Sequence, residues 1–282
     1  MRAFPDTGMF SALYPDTPGK VRHNLAKHPL FTLDALAALA GRMNTKNIEY
    51  NRGDLPLGIE FDDVPGNGLS IADTIRGIET NGSWMVLKFV EQDPAYGDLL
   101  AKTLAELDAP IAAKTGAMLK QEAFIFISSP NSVTPLHFDP EHNILLQLRG
   151  TKSMTIFPGD DEEIAPPDAH ERLHSGAGHR NLHWDEQYAA RGQCFDLAFG
   201  DGIYVPLMAP HWVQNGPDVS ISFSITWRSA YSYREAEARG MNAIMRHAGL
   251  KPASPKRYPA SNIIKSSSFR FVRRIRHALG RD

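Results

Sequence analysis

The sequence predicts an α+β fold, a double-sheet jelly roll (a double-stranded β-helix) with helices before and after it. Three observations carry that prediction. Between residues 123 and 228 the chain breaks into short apolar runs at 123–128, 143–149, 153–157, 193–199, 202–206 and 219–227. Turn signals separate them: Arg149-Gly150, Pro158-Gly159, Gly200-Asp201-Gly202 and Asn215-Gly216-Pro217. Short strands with such punctuation build sandwiches and barrels. On either side, apolar residues recur at helical rather than strand spacing. The chain therefore divides into an N-terminal arm with helices and a supporting strand (1–122), a jelly-roll core (123–228) and a C-terminal helical extension with a basic tail (229–282).

Residues 1–30 carry Pro5, Pro15, Pro18 and Pro29, which predicts an extended arm laid over a surface. Leu36, Leu39, Ala40 and Met43 predict a helix over 31–43, with Gly41 weakening its end. Residues 44–68 are loop-rich, with Gly53, Pro56, Gly58, Pro65, Gly66 and Gly68. Ser70 and Asp73 have capping-box spacing and predict a short helix. Residues 84–90 predict a buried strand. Asp93-Pro94 is a helix start, because proline suits the first helical position. Tyr96, Leu100, Leu104, Leu107, Ile111, Thr115 and Met118 then share one face of a long helix that Pro110 would kink. Beyond the core, Ala238, Met241, Met245 and Ala248 share a helical face, and Gly249 provides a stop. Residues 250–261 contain three prolines and predict a linker.

With 282 residues, 42% hydrophobic and 22% charged, the chain can bury the core of one large domain. A net charge of −2 selects no class of partner. The single cysteine, Cys194, excludes an intrachain disulfide and fits a reducing compartment. It is expected to be a small buried strand residue. The N-terminus lacks a secretory apolar run, and no stretch approaches the ~18 apolar residues of a membrane span. The expectation is a cytoplasmic protein. Neither a G-x-S-x-G elbow nor a Walker loop occurs.

The chemistry concentrates in NSVTPLHFDPEHNILLQLRGTK, residues 131–152, and in GDGIYVPLMAPHW, residues 200–212. His137 and Asp139 form an H-x-D pair, and two residues apart on a strand they share a face. With His211 they offer two imidazoles and a carboxylate, the set that holds one face of a ferrous ion and leaves positions open for a co-substrate and O2. A lysine from a neighbouring strand, Lys152, can point into the same cavity. A buried ammonium there needs an anionic partner, and the distal carboxylate of 2-oxoglutarate would be one, with Thr134 adding a hydrogen bond. Singly, each piece has an ordinary reading: a chance H-x-D, a turn lysine, a half-buried histidine. Their combination on short strands favours the metal site.

These motifs resemble those of the JmjC and cupin-like 2-oxoglutarate/Fe(II) oxygenases, close in pattern to an asparaginyl hydroxylase of that family. T-x-x-H-x-[DE]-x-x-x-N followed nine residues later by lysine matches Thr134, His137, Asp139, Asn143 and Lys152. G-D-x-x-x-x-P followed by P-H matches Gly200, Asp201, Pro206, Pro210 and His211. The resemblance implies that His137, Asp139 and His211 bind Fe(II), and that Lys152 and Thr134 hold the distal carboxylate of 2-oxoglutarate. Asn143 would lie beside this co-substrate. The family also places a polar contact on the last strand, where Ser222, Ser224 and Thr226 share a face here, with Ser224 and Thr226 as the candidates. Where the family uses an upstream tyrosine, this chain has Phe124 and Phe126. The implied activity is hydroxylation of a protein side chain or a small molecule, with release of succinate and CO2. A metal-dependent cupin that does not use 2-oxoglutarate and a non-catalytic binding protein are the alternatives.

His170, His174, His179 and His183 suggest either a second metal site or, preferably, a polar inserted loop acting as a lid. Trp184 and Trp212 are expected to pack. Gln147 and Arg149 share the face of Asn143, Arg149 alternatively as a strand-end charge. In the tail, Phe271, Ile275 and Leu279 share a helical face among arginines. Such helices bind anionic membranes or nucleic acid, or dock on protein. By family resemblance, a homodimer through C-terminal helices is expected here, with no nucleic-acid partner.

Overall fold

A computed structural model describes residues 2–54 and 65–280. Pro56 and Gly58 of the predicted loop lie outside the described residues. Two sheets form the core. The larger holds, in spatial order, β1 (Gly19–Arg22), β9 (Asp201–Val205), β6 (His142–Arg149), β11 (Ser220–Arg228), β4 (Leu119–Ser128), β3 (Ser83–Lys88) and β2 (Ile48–Arg52). The smaller holds β5 (Val133–His137), β10 (His211–Asn215), β7 (Lys152–Ile156) and β8 (Gln193–Leu197). All pairings are antiparallel, and the sheets stack as a jelly roll.

Helices cover the far face of the large sheet: α1 (Thr7–Leu13), α2 (Leu33–Ala40), α3 (Ile71–Arg76), α4 (Pro94–Ala105) and α5 (Asp108–Thr115). Their Phe10, Leu36, Leu39, Ile75, Tyr96, Leu100 and Ile111 join Ile125, Ile127, Ile144, Leu146, Phe223, Ile225 and Trp227 in one apolar core. Between the sheets lies a second core of Leu145, Met154, Ile156, Phe195, Leu197, Ile203, Val205 and Val213. After the sheets come α7 (Ala230–His247) and α8 (Ile263–Ala278), and α6 (Pro167–Ser175) interrupts the small sheet between β7 and β8.

Local chemistry explains most boundaries. Asp93 caps α4 by accepting from the Ala95 N–H at 3.1 Å, with Pro94 at the first position. Ser70 caps α3 through the Asp73 N–H at 3.1 Å, and the Asp73 carboxylate accepts the Ser70 hydroxyl rather than closing a full box. Ser229 and Ser232 form a reciprocal capping box at the start of α7.

Four expectations change. The N-terminal segment is no surface arm. Phe10 on α1 and Tyr14 just past its end are buried against Tyr204 and Trp227, and β1 pairs with β9. Its prolines punctuate α1 and β1 instead of extending the chain. The long helix is two helices: the chain breaks at Glu106–Leu107, and Pro110 sits in the first turn of α5, where its missing N–H costs nothing. The histidine-rich segment is not a plain loop, since α6 buries His170 and has His174 in its last turn. Cys194 is exposed: on the edge strand β8, Phe195 and Leu197 face inward and Cys194 faces solvent.

Candidate metal centre

β5 and β10 bring the two histidines together. His211 lies directly across from His137, but two residues later along β10, Val213 pairs with Thr134, three residues back along β5. The extra residue in β5 is a β-bulge, and it inverts the alternation of that strand. Without it, residues 134 and 137 would point to opposite faces. With it, Thr134, His137, His211 and Val213 share one face. On the other side of β10, His211 pairs with Ile156, Val213 with Met154 and Asn215 with Lys152. Lys152 therefore opens on that same inward face.

Asp139 lies just past the end of β5. His137, Asp139 and His211 each offer a ligand atom, and these atoms lie within 4.8 Å of one another. The imidazole centroids are 4.2 Å apart. His137 Nδ1 is bound to the Pro135 carbonyl at 2.8 Å, and His211 Nδ1 to the Ala209 carbonyl at 2.9 Å. A carbonyl accepts only, so each Nδ1 carries its proton and each Nε2 keeps its lone pair. Asp139 Oδ2 stands 3.8 Å from His211 Nε2. Burial drives the His211 pKa down to about 4, with His137 adding to the effect and Asp139 opposing it. Burial pushes Asp139 the other way, but Arg180, His137 and His211 outweigh it and hold the carboxyl at about 2. At neutral pH Asp139 is anionic and His211 neutral, the protonation states a divalent cation requires.

Lys152 is buried, and burial lowers its pKa from 10.5 to about 7. No carboxylate stands within ion-pair distance of it among the described residues. Burial without a paired charge disfavours the ammonium form, and an anion placed beside it would favour that form. On its inward face the large sheet presents Asn143, Gln147, Ser222, Ser224 and Thr226, all buried. The Ser224 hydroxyl donates to Asn143 Oδ1 at 2.8 Å, and Ser222 donates to Gln147 Oε1 at 2.7 Å. Thr226 donates to the Glu122 carbonyl at 3.3 Å, which commits its proton to the backbone. Gln147 also donates to the Arg149 carbonyl and to Ser220, and Arg149 itself is an exposed strand-end charge. Phe124 and Phe126 stand across from Ser224 and Ser222 on the same face.

The sequence reading missed Arg180. It donates to Asp139 Oδ1 at 2.7 Å and approaches Glu141 at 3.5 Å. Glu141 lies 3.7 Å from Arg228. The backbone around Arg180 runs beside β5: Phe138 N–H bonds the Arg180 carbonyl, Leu182 N–H bonds the Leu136 carbonyl, and Asn181 bridges His137. Arg180 is 41 residues from Asp139, so no local spacing announces it. Of the other histidines, none joins a metal-binding group among the described residues. His170 stacks on Phe138 at 4.6 Å. Trp184 packs against Phe157, Tyr188 and Trp212 on the outer face of the small sheet.

Comparison with known proteins agrees with this architecture. A family model described as a cupin-like domain matches residues 79–233, more than half of the chain. This chain belongs to the cupin-like family, in which the JmjC oxygenases fall. This cupin-like protein is 25% identical over 223 residues to the lysine-specific demethylase JMJ30 of Arabidopsis thaliana, covering 76% of the chain and 50% of that protein. It is 31% identical over 105 residues to the Jumonji C domain-containing protein 5 of Drosophila melanogaster, covering 35% of the chain and 26% of that protein. The chain thus spans half or less of the length of these relatives. Among solved structures, the Escherichia coli ribosomal oxygenase YcfD superposes with a TM-score of 0.53 at 14% identity, covering 96% of this chain and 68% of that one. A second YcfD structure, in complex with cobalt and 2-oxoglutarate, gives 0.51 at 15% identity, with 96% and 67% covered. At this identity the likeness speaks to fold. Among the described residues no helix is long and apolar enough to cross a membrane.

Proposed function

We propose that this protein is an Fe(II)- and 2-oxoglutarate-dependent oxygenase that hydroxylates a protein side chain or a small molecule. The observation that carries the reading is a pairing on one inward face. Two Nε2 lone pairs and a carboxylate converge, and a buried lysine without an anion stands on β7, the strand beside β10. The donor set fits a divalent first-row metal with open positions. The unpaired Lys152 fits the distal carboxylate of a dicarboxylic keto acid, which would restore its proton. When bound, iron with 2-oxoglutarate and O2 supplies the oxidising power that converts C–H to C–OH, with release of succinate and CO2.

The chain's own part is holding and shielding. The Pro135 and Ala209 carbonyls fix the imidazole tautomers. Arg180 occupies Asp139 Oδ1 and leaves Oδ2 on the side of His211, which favours one-oxygen ligation. Asn143, held by Ser224 on the inward face of the larger sheet, is the polar contact for the co-substrate in this reading. Phe124 and Phe126 contribute apolar lining where a further hydroxyl donor would otherwise stand. One relative is by name a lysine-specific demethylase, which favours a protein substrate over a small molecule.

The deciding experiment is anaerobic titration of the metal-free protein with Fe(II) and then 2-oxoglutarate, followed in the visible. A charge-transfer band that needs both, and that disappears in His137→Ala, is the expected result. Iron binding with no band on adding 2-oxoglutarate would leave a metallo-cupin of another chemistry.

A further inference from the structure

α8 docks on α7 by one face only. Its Phe269 ring lies against Gly240, where even a methyl group would come within 2.6 Å of the ring. Ser266 is buried, and its hydroxyl donates to Glu237, with Arg270 3.7 Å from the same carboxylate. These contacts hold the helix firmly and fix which side faces out. On the opposite side, Ile264, Phe271, Ile275 and Leu279 fall seven, four and four residues apart and so form one stripe. Ile264 is 84% exposed, Phe271 65% and Leu279 64%. A stripe of large apolar side chains on a surface helix marks a face that another surface covers.

The charge around the stripe says what kind of surface. From Ile263 to Gly280 there are five Lys/Arg residues and no acid. Arg274 and Arg270 flank one side of the stripe, and Arg276 and Lys265 the other. Arg273, Arg274 and Arg276 have no ion-pair partner among the described residues. Residues 265–282 carry six Lys/Arg against one Asp, hence +5, which leaves −7 for the rest of a chain whose net charge is −2. A two-fold pairing of α8 with itself would set these guanidinium rims against each other, which argues against a second copy as the occupant. Nucleic acid would satisfy the arginines but not four apolar side chains.

We propose that α8 is an interfacial anchor that seats this protein on an anionic lipid bilayer surface. Its apolar stripe enters the acyl boundary and its arginines reach the phosphate headgroups. The proposal is independent of the chemistry at the metal centre.

The test is co-sedimentation of the full-length protein with phosphatidylcholine vesicles, with and without about 30% phosphatidylglycerol, at roughly 0.1 and 0.5 M salt. Binding is expected to the anionic vesicles only and to weaken at the higher salt. Phe271→Glu with Ile275→Glu should lower the bound fraction at least about tenfold while leaving thermal unfolding and metal binding unchanged. Replacing Arg273, Arg274 and Arg276 with Gln should also weaken binding and flatten its salt dependence. The proposal is overturned by an absence of binding to anionic vesicles at low salt, or by equal binding of the Phe271/Ile275 variant. It is equally overturned if the wild-type protein is a dimer that this variant converts to monomer, or if RNA binds in preference and the variant retains that binding.

Discussion

The two faces of β11 differ in kind although both are buried. Its sequence, SISFSITWR, is buried at every position. Ile221, Phe223, Ile225 and Trp227 face the helices and pack with Phe10, Phe31 and the aliphatic residues of β4 and β6. Ser222, Ser224 and Thr226 face the small sheet, where they bond Gln147, Asn143 and the Glu122 carbonyl. Alternation of this kind ordinarily marks a strand with one wet face. Here the polar face is enclosed, and small hydroxylated residues in an enclosed space leave room and hydrogen bonds for something else. Stability is concentrated on one face of the sheet and candidate chemistry on the other, so substitutions on the two faces should fail in different ways.

The largest contrast sets His211→Ala against Phe223→Ala. His211→Ala removes one of three ligand groups and is expected to weaken Co(II) or Fe(II) binding by a factor of 100 or more, with little change in unfolding free energy. Phe223→Ala opens a cavity in the helix-side core and should cost about 3–5 kcal/mol, while the folded fraction binds metal as before. Metal titration and urea unfolding on both variants measure the two effects. If both variants lost stability equally, the division between faces would fail.

Lys152 sharpens the comparison because function and stability oppose each other there. Burial holds its pKa at about 7 against an ordinary 10.5. The unfolded chain therefore binds more protons than the folded one between those values, and stability rises with pH through that window. Lys152→Met removes the penalty and is expected to raise the unfolding free energy at neutral pH by on the order of 2–4 kcal/mol, while weakening 2-oxoglutarate binding at least about tenfold. In the unaltered protein, the metal-loaded site should bind 2-oxoglutarate with an affinity that falls as pH rises above about 7, approaching tenfold per pH unit. Calorimetry in buffers of different ionisation enthalpy would detect the accompanying proton uptake. A pH-independent affinity with no proton uptake would remove Lys152 from the co-substrate site.

Arg180 should give a smaller effect. Arg180→Lys retains charge but not the planar fork that reaches Asp139 and Glu141 together. The expected result is a roughly tenfold to 100-fold weaker metal affinity and an altered ligand-field spectrum of the Co(II) form. An unchanged spectrum and affinity would show that Asp139 is set by β5 alone.

How far the sequence revealed all this follows from the range of the interactions involved. Period-two patterning, turn glycines and caps are local, so most strands of the core and the start of α4 were legible. The spacing of Thr134, His137, Asp139, Asn143 and Lys152 marked them as a group in the sequence, and the structure brings His137 and Asp139 together with His211. The bulge in β5 was not legible, because it is a property of the pairing with β10. Arg180 was missed for the same reason, since an extended segment 41 residues downstream returns beside β5. The N-terminal prolines misled because their rings restrict backbone shape without saying what Phe10 and Tyr14 pack against. Cys194 misled because apolar character was taken for burial on a strand whose outer face is free.

The smallest effect tests the apolar face itself. His142 lies on the helix side of β6, stacked on Trp227 with ring centroids 5.5 Å apart. Its two nitrogens lie 3.1 Å from the Tyr204 hydroxyl and 3.1 Å from the Ser229 hydroxyl. Burial, reinforced by Arg228 and Arg257, lowers its pKa to about 3. In the unfolded chain an ordinary histidine titrates near 6.5, so between about 6.5 and 3 the unfolded state holds a proton that the folded state does not. Stability contributed by keeping this ring neutral is therefore full above pH 6.5 and declines as the pH falls through that window. His170 and His174, also lowered by burial, add to the same slope. His142→Gln keeps a donor and an acceptor but carries no proton to gain. Between pH 6 and 4 its unfolding free energy should fall less steeply than that of the unaltered protein, by about one proton or roughly 1.4 kcal/mol per pH unit. Urea unfolding at pH 6, 5 and 4 measures the difference. Parallel curves would mean that His142 titrates with the chain folded, and that the apolar face admits water at this position.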